Sequence, residues 1–263
     1  MKITCVCAVK ELTETLRAVA PALDPRHGLQ IEVDADGLWL TATDRIRIMR
    51  AAAHLIRCDA EDPLAVAIPA EGPCTIKWGE KPPALVLPAE EARTIMREVA
   101  KLPSALRVGL EITETAIRVE PDGHQPVEAP IQSAKGFPAW RKLAHPRWGC
   151  NIEHAAVLRR FAEMAAAVLD KDRGVRCWVQ GNYLCLEADR APQWGCRAEV
   201  VIEMLSPPPA EYSWRVNPRY LAEALARLEP RWLVFEGNDR AGHIHLRSLH
   251  DCRREYWIAL MEV

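Results

Sequence analysis

The sequence predicts an α+β protein of two duplicated domains, residues 1–143 and 149–263, each with two helices packed on curved antiparallel sheets. Three observations predict it. The chain repeats itself: residues 23–44 read LDPRHGLQIEVDADGLWLTATD and residues 169–189 read LDKDRGVRCWVQGNYLCLEAD. Leu23, Asp24, Gly28, Val33 and Asp44 align with Leu169, Asp170, Gly174, Val179 and Asp189, with one gap. A spacing of about 145 residues marks duplicated domains, because solenoid repeats run about 20–50 residues. Next, the order strand, helix, strands occurs twice within the first copy. Finally, alternating apolar segments separated by turn signals outnumber helical ones.

The elements follow in order. Lys2-Ile3-Thr4-Cys5-Val6-Cys7 alternates and predicts a strand, with both sulfurs facing the core. Val9, Leu12, Leu16 and Val19 recur at helical spacing, and Pro21 stops that helix. Leu29–Val33 and Leu38–Thr41 flank the turn signal Asp34-Ala35-Asp36-Gly37. Strand-like segments continue past Ile46 to Ile68. Pro88 opens a second helix to about Leu102, with Ala92, Ile95, Met96 and Val99 inward. Arg107–Ile112 and Ala116–Val119 predict a hairpin.

Gly136 to Gly149, rich in Pro and Trp, is the junction, and Cys150-Asn151-Ile152 resumes as a strand. An Ala-rich helix over 154–169 turns Val157, Phe161, Met164 and Val168 inward. Asn217 caps a fourth helix with Pro218 first, and Tyr220, Leu221, Ala224, Leu225 and Leu228 form its core face. Arg231–Glu236 and Ile244–Ser248 flank the turn Gly237-Asn238-Asp239, and the last strand is Tyr256–Met261. The pattern gives about eight short strands per domain. Open sheet edges invite pairing with another copy, so self-association is expected.

Composition excludes several classes. A net charge of −2 over 263 residues gives no global attraction to nucleic acid, so any such contact needs local Arg and Lys. Nine scattered cysteines, odd in number and without a CxxC pair, predict reduced buried thiols in a cytoplasmic protein. A secretory signal and a membrane span are not expected. No phosphate-binding glycine loop, nucleophile elbow or HExxH helix is present, so an enzyme is not expected.

Four segments carry a resemblance. Leu38-Trp39-Leu40-Thr41-Ala42-Thr43-Asp44 resembles the L-x-x-x-ATD strand of the bacterial DNA sliding clamp, the DNA polymerase III beta subunit. Gly136-Phe137-Pro138 with Arg141 is similar to its R-F-P-D-Y-R-R junction. Trp214 to Leu221 resembles its F-x-V-N-x-x-Y-L helix start, and Tyr256 to Val263 its C-terminal Y-x-x-M-P-M-R-L. Their order agrees along nearly the whole chain. The resemblance implies the DNA-clamp fold, with matches to the second and third of the clamp's three domains. It implies a processivity factor that encircles duplex DNA without reading sequence, recruits DNA polymerase and other clamp-motif peptides, and is opened by a clamp loader. No cofactor is implied, and the location is cytoplasmic, with the nucleoid. Two domains per chain is the layout of the archaeal and eukaryotic clamp, so a homotrimeric ring is expected by analogy.

A clamp needs phosphate donors without base readout. Arg93, Arg97 and Lys101 form a basic stripe on the second helix. Lys10 and Arg17 share a face of the first with Glu14 between them. Arg159 and Arg160 lie on the third helix, Arg219 and Arg227 flank Glu223 on the fourth, and Arg26 and Arg173 occupy equivalent turns. Equally, Arg and Glu four apart make a self-paired solvated face. For the peptide groove the resemblance implies Thr43, Arg45, Ile46, Arg47 and Ile48, then Pro138, Lys142 and Leu143, then Asn217, Tyr220, Leu260 and Met261. Ile48, Leu143, Tyr220 and Met261 serve equally as interdomain core. Arg45 stands where the family has Gly, which narrows one side of the groove.

Two other functions compete. A clamp-derived adaptor would bind peptides or a full-length clamp without closing a ring of its own. A metal enzyme would use His243, His245, His250 and Cys252, since alternation puts His243 and His245 on one strand face. Exposed strand histidines without a diagnostic second pair do not favour it.

Overall fold

The computed structural model describes residues 2–34, 37–60, 85–133, 137, 148–153, 155–170, 173–190, 196–204, 212–228, 232–238, 242–249, 251 and 253–261. The chain divides into two compact units: Met1–Arg45 with Met49–Pro138, and Ala139–Val263 with Ile46–Ile48.

The first unit opens with β1 (Lys2–Ala8), α1 (Val9–Val19), β2 (Leu29–Asp34), β3 (Gly37–Thr43) and β4 (Arg47–Ala53), whose first residues group with the other unit. Then come β5 (Leu55–Ala60), β6 (Leu85–Leu87), α2 (Ala89–Ala100), β7 (Arg107–Thr113), β8 (Ala116–Pro121), β9 (Val127–Pro130) and β10 (Gln132–Ser133). One sheet runs β5-β1-β7-β8-β9, and another runs β10-β6-β2-β3-β4. α1 packs on α2. Leu12, Leu16 and Val19 of α1 and Ala92, Ile95 and Val99 of α2 are buried with Leu29, Ile31, Leu40, Val108, Leu110 and Ile112 of the sheets. Their 3.6-residue and two-residue periods set these faces. The β2–β3 turn is tied by Asp34, whose Oδ1 accepts from the Gly37 N–H at 3.1 Å and from Trp39 Nε1 at 2.9 Å.

The second unit repeats the plan with β11 (Trp148–Glu153), α3 (Ala155–Val168), β12 (Val175–Gln180), β13 (Tyr183–Arg190) and β14 (Cys196–Glu203). It continues with β15 (Ser213–Val216), α4 (Pro218–Leu225), β16 (Trp232–Asn238), β17 (His243–Ser248) and β18 (Arg254–Ala259). One sheet runs β14-β13-β12-β15, and β18-β17-β16-β11 are neighbours in the other. The hairpins β2–β3 and β12–β13 are the two copies of the sequence repeat. Asn217 caps α4 by accepting from the Arg219 N–H at 3.0 Å, and Pro218 occupies the first turn.

The face of α3 differs from the expected one. Val157 is 45% and Met164 41% exposed, and Val168 is half-buried. The buried stripe is Ala155, Leu158, Phe161, Ala162 and Ala165. α3 is apolar on more than one side, so periodicity offers several stripes; packing against α4 selects the one whose alanines allow close approach. Among the described residues the first unit has ten strands rather than eight.

Candidate DNA and peptide surfaces

The basic residues sit largely where helical spacing places them, and many have intramolecular partners. Lys10 and Arg17 are exposed on α1. On α2, Arg93 donates to the Leu23 carbonyl at 3.3 Å and lies 3.7 Å from Glu90. Arg97 donates to the Arg93 carbonyl and to Thr94 Oγ1, and Lys101 pairs with Glu98 at 2.7 Å. Arg26 pairs at 3.3 Å with Asp24. The Asp24 carboxyl also accepts the Arg26 N–H, and that bond, ahead of the nearby positive charges, holds it below the usual carboxylate range. In the second unit Arg159 pairs with Glu163 at 2.7 Å, while half-buried Arg227 donates to the Glu223 carbonyl at 2.6 Å. Lys10, Arg160, Arg173 and Arg219 are exposed, and their side chains have no partner among the described residues. Lys10 in one unit and these three arginines in the other are therefore the groups best placed to meet a phosphate.

The second surface lies in the second unit, where residues 46–48 meet α4. The Ala259 N–H donates to the Ile46 carbonyl at 2.7 Å. This main-chain bond presents Ile46 outward, 46% exposed, and turns Ile48 inward. The Arg47 guanidinium lies 4.5 Å over the Tyr220 ring and is ion-paired with Glu223. Arg47 is nearly buried, whereas the Glu223 side chain is 42% exposed. Cation–π contact and ion pair together fix a long side chain across the face of α4. Half-buried Leu260 and Met261 run nearby: Leu260 N–H donates to Gly242 O at 2.8 Å, and Met261 N–H to Arg215 O at 3.0 Å.

The remaining groove candidates take other roles. Thr43 is buried in the first unit and its Oγ1 accepts from the Arg45 N–H at 3.1 Å. Arg45 has φ 75°, the left-handed conformation that favours Gly. Its Nε donates to His27 Nε2 at 3.0 Å, so this side chain is held by its own unit. Asn217 spends its side-chain oxygen on the helix cap. Pro138, Lys142 and Leu143 lie outside the described residues.

Sequence reasoning missed Glu223 as the partner of Arg47, because the two are 176 positions apart. It also missed the site of Gly174 against Met261, although the repeat with Gly28 pointed to a shared glycine. The histidines form a different cluster. His243 is buried; His245 stacks on Trp257 at 4.4 Å and meets Glu236 at 2.8 Å. Glu236 also pairs with Arg247 at 3.1 Å. Burial opposes ionisation of Glu236, but the bonds from His245 and Arg247 outweigh it and leave its carboxyl below the ordinary value. Among the described residues no three His, Cys, Asp or Glu are grouped to hold a metal, and no helix is long and apolar enough to cross a membrane. His250 and Cys252 lie outside them.

No protein-family model matches the chain, and no curated protein matches it. Solved structures do. A DNA polymerase sliding clamp from Pseudomonas aeruginosa superposes with a TM-score of 0.74 at 16% identity, over 99% of this chain and 67% of that one. A DNA polymerase III subunit beta from the same organism gives 0.77 at 16% identity, over 99% and 66%. The pol III beta of Caulobacter crescentus gives 0.73 at 15% identity, over 99% and 66%. This chain thus spans about two thirds of the length of those clamps. With two helices per unit on antiparallel sheets, it has the fold of the bacterial DNA polymerase III beta sliding clamps.

Proposed function

We propose that this chain is a clamp-type tether without enzymatic activity, which holds partner proteins on duplex DNA and works by effective concentration rather than by chemistry. The observation that carries the reading is the clamp fold over 99% of the chain. Exposed Lys10, Arg97, Arg160, Arg173 and Arg219 support a loose, sequence-independent contact with phosphates. The helices carry nearly balanced charge, so affinity for open DNA is weak and salt-sensitive. Peptide partners dock on the surface of Ile46, Arg47, Tyr220 and Met261. The test is retention of the protein on nicked circular DNA and its loss when that DNA is cut. Equal retention on both forms removes topological tethering.

The resemblance implies a trimer closed edge to edge, opened by a loader. One observation favours instead an adaptor that closes no ring of its own copies. β9 ends a sheet among the described residues. The Ile131 N–H donates to Thr115 O at 2.8 Å, in register with Ala116↔Pro130. Alternation then turns the main-chain groups of residues 127 and 129 toward β8 and those of 128 and 130 outward. Position 130 is proline, as is 126, so only Glu128 offers an outward N–H. Prolines on an edge blunt strand pairing. Sedimentation decides: a stable trimer restores the ring of copies.

A further inference from the structure

Two cysteines face each other across the edge of a sheet in the first unit. β5 is the end strand of β5-β1-β7-β8-β9, with β1 as its ladder neighbour. In that antiparallel ladder Cys5 stands directly opposite Cys58. Among the described residues the strand registers put no other two cysteines opposite each other. Cys5 is 0% and Cys58 1% exposed, and both are thiols in this structure. Burial, then the nearby Cys58 and Cys7 sulfurs, push the Cys5 thiol well above its ordinary value.

The ladder fixes how closely the pair approaches. The Val9 N–H donates to the Leu106 carbonyl at 2.9 Å, and Val9 continues the register in which Ala8 faces Arg107. Val9 and Leu106 are therefore a hydrogen-bonded pair. Alternation makes Cys7–Val108 and Cys5–Leu110 hydrogen-bonded pairs as well. Cys5 thus turns its N–H and C=O toward β7, which leaves Cys5–Cys58 a non-hydrogen-bonded pair on the β5 side. In such pairs the α-carbons lie about 4.5 Å apart and the side chains come closest. That separation falls within the range of about 4.4–6.8 Å that a disulfide spans. Cys7 shares the face of Cys5, but a bulge intervenes. Val6 pairs with position 57 and Cys7 with Leu55, so Ile56 is the extra residue.

We infer that Cys5 and Cys58 form a latent cross-strand disulfide site, closed by exchange with a small-molecule disulfide and reopened by thiols. Access comes from β5 itself. The strand is bulged at Ile56, which is 49% exposed, and Leu55 is only half-buried. An edge strand with so few buried side chains opens more readily than the strands inside the sheet. With β5 lifted, the Cys58 thiolate attacks one sulfur of oxidised glutathione. A mixed disulfide forms at Cys58 and one glutathione thiolate leaves. On redocking, the Cys5 thiolate attacks the Cys58 sulfur and expels the second glutathione thiolate. Two protein thiols are oxidised, one glutathione disulfide is reduced to two glutathione thiols, and the protein's two protons pass to them through solvent. The α-carbons sit at the short end of the disulfide range, and departures from ideal geometry make the bond more reducible, so the link is reversible. Once closed, it fastens β5 to β1. The inference rests on strand register and is independent of DNA or peptide binding.

The test is to incubate the folded full chain with oxidised glutathione, alkylate it, and locate the linked residues by tandem mass spectrometry. A Cys5–Cys58 link that dithiothreitol removes is expected, with two fewer thiols alkylated after unfolding than in the reduced protein. Cys7→Ser should leave the link intact and Cys58→Ser should abolish it, with circular dichroism showing that both variants fold. Amide hydrogen exchange in β5 should slow by about tenfold or more in the oxidised protein. The wild-type measurements decide even where a variant fails to fold. A link in which another cysteine replaces Cys5 or Cys58 overturns the inference. So does a glutathione adduct at Cys58 that Cys5 never displaces, resistance of both thiols to oxidation, or unchanged exchange in β5. Retention on circular DNA, measured on the reduced protein, reports separately on the tether reading.

Discussion

A β-carbon placed on Gly174 would lie 2.6 Å from Sδ of Met261 and 3.1 Å from the Val216 carbonyl oxygen. The same relation recurs in the first unit, where a β-carbon on Gly28 would lie 2.4 Å from the Leu87 carbonyl oxygen. Leu87 and Val216 each end the strand that leads into the second helix of their unit. The repeated glycine thus lets each hairpin approach that strand closely. Gly28→Ala and Gly174→Ala should each destabilise by about 1–3 kcal/mol, read from urea unfolding. Gly28→Ala should cost more, because Gly28 has φ 68° and meets rigid backbone, whereas Met261 is a flexible side chain that can shift. Equal costs would remove this account.

Arg47 and Glu223 differ in burial, and the asymmetry gives a second prediction. Arg47→Ala should destabilise by about 1–2 kcal/mol, because it removes both the ion pair and the contact with Tyr220. Glu223→Gln should cost less than about 1 kcal/mol, since that side chain is 42% exposed and screened by water. A double-mutant cycle should return a coupling of about 0.5–1 kcal/mol.

Much of this was readable from the residues. The apolar spacing of Val9, Leu12, Leu16 and Val19 placed α1, Pro88 placed α2, and Asn217-Pro218 placed α4, because caps and stripes are local chemistry. The inward face of α3 was not readable, since Val157 and Met164 are as apolar as Leu158 and Phe161 and only packing separates them. The stripe Arg93, Arg97 and Lys101 was legible; its pairing with Glu90 and Glu98 was not, because that needs rotamers that spacing does not give. The hold of His27 on Arg45 joins two turns and depends on a backbone conformation that composition alone does not signal.

The left-handed backbone at Arg45 should discriminate among replacements. Arg45→Val should be about 1 kcal/mol or more less stable than Arg45→Asn, because β-branched residues are poorly accommodated at positive φ. Thermal melts of the two variants check the order; the reverse order would count against the conformation.

Glu236 sets a pH dependence. Its carboxyl is held below the ordinary value in the folded chain by His245 and Arg247. The stabilisation is therefore complete above the ordinary Glu range, near pH 4.3, and is lost as pH falls through the folded value. Unfolding free energies between pH 7 and pH 3 should fall less steeply in Glu236→Gln than in the wild-type chain.

The outward face of α3 offers a test of DNA contact that leaves the core alone. Met164→Lys should change stability by less than about 0.5 kcal/mol. Under the tether reading it should also tighten duplex binding and steepen its salt dependence by about one unit of slope. Arg160→Ala should do the opposite.

Cys5, Cys7 and Cys58 are buried in the first unit, Cys177 and Cys185 in the second. Burial pushes the Cys7 thiol up to about 12, so it is scarcely nucleophilic at neutral pH. Each half of the molecule therefore carries its own internal reporter. Alkylating reagents should modify these sulfurs only when the surrounding half opens, and peptide mapping of the adducts would time the opening of one half independently of the other.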